Sequence, residues 1–304
     1  MALMTDTGAS ILAKLKNKAK ESNAGYQQCL QLFFQEEFLR RLSKSSYADN
    51  FILKGGLFIY TLSDFKSRTT VDIDFLVQRL DNKPEQMDKV ITEIIGVSTG
   101  LNEIVVLEPG KCNPIITQRE YHGVSSQITG KIKKVRMSFS VDIGVGDVIV
   151  PKPEKRIIQT QLKGYEMPAI YTYSLESTIA EKLDAVFQRF ELTGRMKDFY
   201  DIFYLAQTFD FDGQRLREAI KGTLQNRRTE FNKESFDHMI QLADNKDIQV
   251  RWKYFQKTIN QTELFLSDVM SVIDRFLHPV FDSLISGKNH TKKWYAKKRK
   301  WMYE

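Results

Sequence analysis

The sequence predicts an α+β protein in which an N-terminal α/β domain precedes a C-terminal helical domain, and three observations carry that expectation. Strand-like runs gather between residues 51 and 150. From Ser174 onward apolar residues recur at helical spacing and no run reads as a strand. Pro151-x-Pro153 punctuates the junction. At 304 residues, 42% of them hydrophobic, the chain can fill two cores. The expected boundaries are 1–172 for the first domain with its N-terminal helices, 173–287 for the helical domain and 288–304 for a basic aromatic tail.

Residues 8–45 predict one or two helices, with Leu12, Leu15, Leu30, Leu32, Phe33, Phe38 and Leu39 as apolar faces. Phe51-Ile52-Leu53 reads as a short buried strand, Lys54-Gly55-Gly56 as a turn, and Leu57 to Leu62 as the opening of an apolar helix. Val71 to Val77 is the next strand, and a helix follows near Lys83 to Ile95. Val135, Met137, Phe139 and Val141 alternate with polar residues, the period of a half-buried strand, which ends at Asp142 before a Gly144-x-Gly146-Asp147 turn. A short strand is expected near Pro168 to Tyr171. Ser174 is a good N-cap and Glu176 suits a first turn. Leu175, Ile179, Leu183, Val186, Phe187 and Phe190 then predict an amphipathic helix running to Gly194. Another begins near Lys197, and Val269, Ile273, Phe276, Leu277, Val280 and Leu284 predict a long terminal helix interrupted by Pro279. No internal repeat is present.

The chemistry centres on Asp72 and Asp74. One residue apart on a strand, they share a face, while Val71, Ile73 and Phe75 share the other. Neighbouring carboxylates repel unless a cation lies between them, and Mg²⁺ is typically held by one or two carboxylates plus substrate phosphates. An exposed strand with an acidic outer face is the plainer alternative. The Lys54-Gly55-Gly56 turn leads a strand into a helix, where backbone N–H groups can meet an anion. Any tight turn uses glycine as well. Arg68-Thr69-Thr70 brings a fixed positive charge and two hydroxyls up to the first carboxylate.

Gly55-Gly56, fifteen residues, then Asp72-x-Asp74 resembles the signature of the DNA polymerase β-like nucleotidyltransferase fold. The longer string, Leu53-Lys54-Gly55-Gly56 through Arg68-Thr69-Thr70-Val71-Asp72-Ile73-Asp74-Phe75, is similar to the AbiEii/AbiGii toxin branch of that superfamily, and the resemblance spans about residues 50–206. It implies a mixed sheet in the first domain, a third strand carboxylate and two helical motifs. Asp142 is the expected third carboxylate, with strand-end capping as the alternative. Ala180-Glu181-Lys182-Leu183 matches the second motif, whose lysine the resemblance assigns to nucleotide phosphates; a snorkelling lysine beside a core stripe is the other reading of Lys182. Lys197-Asp198-x-x-Asp201 matches the last motif. Asp198 is expected to orient Lys182 or contact the nucleotide and Asp201 to be structural, although both also suit a helix N-terminus. Leu57 stands where such enzymes commonly carry Ser or Thr, which leaves the loop amides with Lys54, Arg68 and Lys182 to hold a triphosphate.

Composition points to a reduced, cytoplasmic setting. No apolar run is long enough to span a membrane, and the opening Met1-Ala2-Leu3-Met4-Thr5-Asp6 lacks a signal-peptide pattern. Cys29 and Cys112 are too few and too scattered for a disulfide framework, and His122, His238, His278 and His290 match no zinc spacing. The formal net charge is +7, of which the last 17 residues, with seven cations against Glu304, hold +6. Lys288, Lys292, Lys293, Lys297, Lys298, Arg299 and Lys300 are interleaved there with Trp294, Tyr295, Trp301 and Tyr303. Cations and flat rings together suit single-stranded or terminal nucleic acid; a solubilising tail is the alternative. Lys131, Lys133, Lys134 and Arg136 form a second basic stretch leading to Asp142.

The resemblance thus implies a toxin of a type IV toxin–antitoxin pair that uses two Mg²⁺ ions to move a nucleoside monophosphate from an NTP to RNA, with the tRNA 3′ acceptor end as target and a separately encoded antitoxin as partner. Asp72, Asp74 and Asp142 would be metal ligands, and Lys54, Gly55, Gly56, Arg68 and Lys182 the nucleotide site. Lys292, Lys293, Trp294, Lys297, Lys298, Arg299 and Lys300 would contact RNA. Nucleotidylation of a protein hydroxyl, or a non-catalytic nucleic-acid or GTP-binding module, are the alternative functions.

Overall fold

The computed structural model describes residues 7–22, 24–115, 123–190 and 194–303. The first six residues, His122, residues 191–193 of the expected helix and Glu304 lie outside the described residues. The chain divides into two compact units, Met1–Gly146 with Glu154–Thr172, and Asp147–Pro153 with Tyr173–Glu304. Among the described residues, no helix is long and apolar enough to cross a membrane.

The first unit runs α1 (Thr7–Glu21), α2 (Tyr26–Lys44), β1 (Phe51–Lys54), α3 (Gly55–Leu62), β2 (Asp72–Val77), α4 (Pro84–Gly96), β3 (Val106–Ile115), β4 (Gly123–Ile132), β5 (Val135–Gly144), β6 (Glu154–Ile157) and β7 (Ala169–Thr172). The seven strands form one sheet in the order β3-β4-β5-β2-β1-β7-β6. The β2–β5 and β1–β7 pairs are parallel and the rest antiparallel, so the sheet is mixed. Strand alternation divides its residues cleanly. Phe51, Leu53, Ile73, Phe75, Phe139, Val141 and Ile143 are buried. Phe38 of α2 reaches this side of the sheet, its ring 6.2 Å from that of Phe75 and 6.4 Å from that of Phe139. The intervening residues, Asp72, Asp74 and Asp142 among them, therefore face the other way. Buried Arg41 is matched: it pairs with Glu37 at 2.9 Å and donates to the carbonyls of Ile95 and Val105 at 2.6 and 2.7 Å.

The second unit is mainly helical, with α5 (Leu175–Phe187), α6 (Met196–Thr208), β8 (Phe211–Asp212), α7 (Gly213–Asn226), α8 (Lys233–Gln241), α9 (Lys246–Thr258), α10 (Leu266–Ile285), β9 (Lys293–Tyr295) and β10 (Lys300–Met302). Ser174 caps α5 by accepting from the Ser177 N–H at 3.0 Å. That helix stops at Phe187, about two turns before the expected Gly194, because Gln188 caps it and Phe190 leaves helical geometry with φ 34°. α10 runs through Pro279 without a break. Phe276, Leu277, Val280 and Phe281 are buried on both sides of the proline, and that packing outweighs one missing N–H.

Three short strands correct the expectation of a strand-free C-terminal half. β8, β9 and β10 form a small sheet in the order β10-β9-β8. Two- and three-residue strands show no alternation to read; tertiary packing selects them. The stretch from 293 to 302 is thus built into the second unit and is no detached tail. Trp294 is fully buried, its indole N–H donates to the Ala206 carbonyl at 2.6 Å, and its ring packs at 5.0 Å from Phe276 and 5.6 Å from Trp301. The expectation that Trp294 stacks on nucleic-acid bases fails on that burial. Trp301 likewise lies parallel to Phe276 at 5.9 Å. Lys297, Lys298, Arg299 and Lys300, at the β9–β10 turn, are exposed, whereas Lys292 and Lys293 are half-buried.

Candidate active site

The sheet register assembles the site. Asp74 of β2 is paired with Asp142 of β5, Asp142 with Ser125 of β4, and Asp74 on its other side with Lys54 of β1. Paired residues point to the same side of a sheet, and neighbouring strands lie about 4.8 Å apart. Ser125, Asp142, Asp74 and Lys54 therefore make one row across four strands, and Asp72, beside Ser140, lies one step along on the same face. Two carboxylates sit side by side with a lysine flanking one and a hydroxyl flanking the other. The Ser125 hydroxyl donates to Asp142 Oδ1 at 2.6 Å, which fixes the rotamer of that carboxylate.

The glycine corner is set against this row. Gly55 adopts φ +68°, a left-handed conformation glycine takes without cost, as β1 turns into α3. A Cβ there would collide with the Asp74 side chain, so the corner and the carboxylate are in van der Waals contact. A Cβ on Gly56 would lie 2.8 Å from Thr70 Oγ1 and 3.5 Å from an Arg68 Nη. Arg68 and Thr70 are thus folded over the first turn of α3, whose leading N–H groups have no partner within the helix. Gln31 and Gln35 of α2 donate to the Val71 carbonyl at 2.6 and 3.0 Å, anchoring the chain one residue before Asp72. Thr69 and Thr70 also line a cavity of about 140 Å³ with Gln28, Cys29, Gln35 and Tyr60.

Among the described residues, no three His, Cys, Asp or Glu side chains form a ready-made metal cluster. The donor types still suit a hard cation: oxygen-only ligands on adjacent strands, half-buried, with a neighbouring hydroxyl orienting one of them.

In the second unit the helical motifs gather around Lys182. Its ammonium lies 2.6 Å from Asp201 and 3.2 Å from Asp198, and Asp198 also pairs with Arg195 at 2.9 Å. Lys182, Asp198 and Asp201 are all buried, so the motif is a desolvated charge cluster, and Asp201 is the closer partner. Asp147, read from sequence as part of a turn, pairs instead with Arg227 at 2.8 Å, and Arg227 also takes Glu181 at 2.9 Å and Asp184 at 3.0 Å. Burial opposes the charge on Arg227, but the three carboxylates raise its pKa well above the usual value.

Ser125, Gln31, Gln35 and Arg227 escaped the sequence reading. A lone serine in an alternating strand carries no signal until the strand is paired, and the glutamines act through their distance from Val71 in the fold.

A mixed sheet with a glycine corner pressed against in-register carboxylates is the arrangement that the nucleotidyltransferase resemblance implies. The family described as nucleotidyl transferase AbiEii toxin, type IV TA system, matches residues 37–275, and the chain belongs to it. Two Helicobacter pylori crystal structures are similar. One, assigned as a nucleotidyltransferase, is 13% identical over 88% of this chain and 100% of its own, with TM-score 0.48. The other, JHP933, is 16% identical over 86% of this chain and 98% of its own, with TM-score 0.49. No curated protein matches the chain.

Proposed function

We propose that this nucleotidyltransferase toxin is Mg²⁺-dependent and transfers a nucleoside monophosphate from an NTP to an RNA hydroxyl, at the tRNA 3′ acceptor end, in the cytoplasm, where a separately encoded antitoxin restrains it. The observation that carries the reading is the pairing of Asp74 with Asp142 against the Gly55 corner. Asp72, Asp74 and Asp142 would hold the metal, which when bound supplies charge neutralisation at the phosphoryl oxygens. The amides of Gly55 and Gly56, with Lys54 and Arg68, bind the triphosphate. The acceptor oxygen attacks the α-phosphorus, the α–β bridging P–O bond breaks, and pyrophosphate leaves. Asp142, oriented by Ser125, takes the acceptor proton. Such transfer is positioning and charge compensation above all. Lys182 is the lysine that the family resemblance assigns to the nucleotide phosphates, with Asp198 orienting it or contacting the nucleotide, and the exposed cations 297–300 contribute to RNA affinity.

The test is incubation with each labelled NTP, Mg²⁺ and total tRNA. Ribonuclease-sensitive label is expected with at least one nucleotide, and Asp74→Ala should abolish it without shifting the unfolding midpoint downward. No incorporation from any of the four NTPs refutes the reading, and label that survives ribonuclease but not protease moves the acceptor to a protein.

A further inference from the structure

The half of the sheet beyond the Ser125–Asp142 pair carries a surface that the reaction above does not use. On β4, Ser125, Gln127, Thr129 and Lys131 alternate with buried Val124, Ser126, Ile128 and Ile132. On β5, Arg136, Ser138, Ser140 and Asp142 occupy the same side, paired in register with Lys131, Thr129, Gln127 and Ser125. Every side chain of this face on the two strands is a hydroxyl, an amide, a carboxylate or a cation, and Gln127, Arg136 and Ser138 are exposed. Lys133 and Lys134 form the exposed turn joining the strands. The Thr129 and Ser138 hydroxyls hydrogen-bond each other at 2.9 Å midway.

A merely solvated sheet face mixes its charges. On β4, β5 and their turn they are segregated: Lys131, Lys133, Lys134 and Arg136 lie at one end, hydroxyls and an amide in the middle, and Asp142 at the other, beside Asp74 of β2. Glu108 on β3 offsets one cation, pairing with Lys131 at 2.5 Å. We propose that this face is the track on which the single-stranded end of an acceptor polynucleotide lies, its phosphates held by the basic β4–β5 hairpin and its terminal hydroxyl delivered to the carboxylate row. The proposal rests on the transferase reading and deepens it by locating the acceptor. No aromatic ring lies on this face of β4 or β5, so contact is to phosphates and sugar hydroxyls and tolerates sequence. Six residue steps separate Arg136 from Asp142, roughly 20 Å at strand rise. At about 3.4 Å per nucleotide that is on the order of six stacked nucleotides.

The length dependence supplies the test. Lys134→Glu with Arg136→Glu changes two exposed side chains, and an unchanged unfolding midpoint confirms the fold. Transfer is measured on a ladder of RNA 3′ ends from two to twelve nucleotides, with filter binding of the same RNAs in the absence of NTP. The variant should raise KM for acceptors longer than about six nucleotides by about tenfold, the loss expected for two phosphate contacts. It should retain kcat at saturating RNA and leave the shortest acceptors unaffected. Equal KM for wild type and variant on every length overturns the proposal, as does a loss that is uniform with length or confined to kcat. Retention of RNA binding by the variant while polyglutamate binding is lost would make the hairpin a protein-docking site and also overturn it. Failure of the transferase reading is separate: a wild type that transfers nothing, yet binds long RNA more tightly than the variant does, keeps the track and sinks the reaction.

Discussion

Gly55→Ala probes the contact on which the site depends. Two costs combine at this position. The φ of +68° puts any L-residue in the left-handed region, at about 1–2 kcal/mol. The new methyl would also strike the Asp74 side chain, and overpacking costs typically about 1–3 kcal/mol. The sum is roughly 2–5 kcal/mol. Gly164 separates the two, because it has φ +86° and nothing within 4 Å of an added Cβ. Gly164→Ala should therefore show the backbone cost alone. Urea midpoints at constant slope measure both variants and the same pair in an Asp74→Gly background, where the Asp74 side chain that the methyl strikes is gone. Gly55→Ala should cost more than Gly164→Ala in the wild type and about the same in the Asp74→Gly protein. Equal costs in the wild type would mean that the corner does not touch the carboxylate, and the geometry argued for the site would be wrong.

Trp294→Ala should lower stability by about 3–5 kcal/mol, the usual loss for a buried large ring, whereas Tyr303→Ala, at a position 70% exposed, should be near neutral in thermal unfolding. An unchanged midpoint for Trp294→Ala with weakened RNA binding would restore the surface role that its burial denies. Glu36 is buried, and desolvation pushes its carboxyl up to about 8 despite the Gln161 N–H at 2.7 Å and the nearby Arg40 and Lys18. The folded protein holds that proton where the unfolded chain has released it, so the stability contributed is fully present below about pH 4.5 and declines as pH rises to about 8. Glu36→Gln should flatten this decline in urea midpoints taken between pH 5 and 8, and an identical slope in the variant would refute the assignment. Ser125→Ala should weaken the apparent Mg²⁺ affinity for transfer by about 10–100-fold with little change in NTP KM; Ser125→Thr should recover part of it, and an unaltered metal titration would deny Ser125 its orienting role.

Much of the site was legible because it depends on short-range chemistry. Gly55-Gly56 and the alternation around Asp72 and Asp74 announce a turn and a two-faced strand, and the family string adds Asp142, Lys182 and Asp198. The C-terminal residues misled for a definite reason. A run of cations and aromatics has the same composition whether its rings face a nucleic acid or a protein core, and only the packing of Trp294 against Phe276 and Trp301 decides between them.

Local pattern, then, determined the types of the longer elements, the α/β-then-helical order and the Asp72–Asp74 pair, since each follows from spacing within a few residues, while the family resemblance singled out Asp142 and Asp198. The three-dimensional pairing of strands decided which of those residues meet: that Asp142, far along the chain, lies beside Asp74, that Ser125 holds it, and that Lys54 closes the row. Strand register is a property of two segments at once, and neither segment alone encodes its partner.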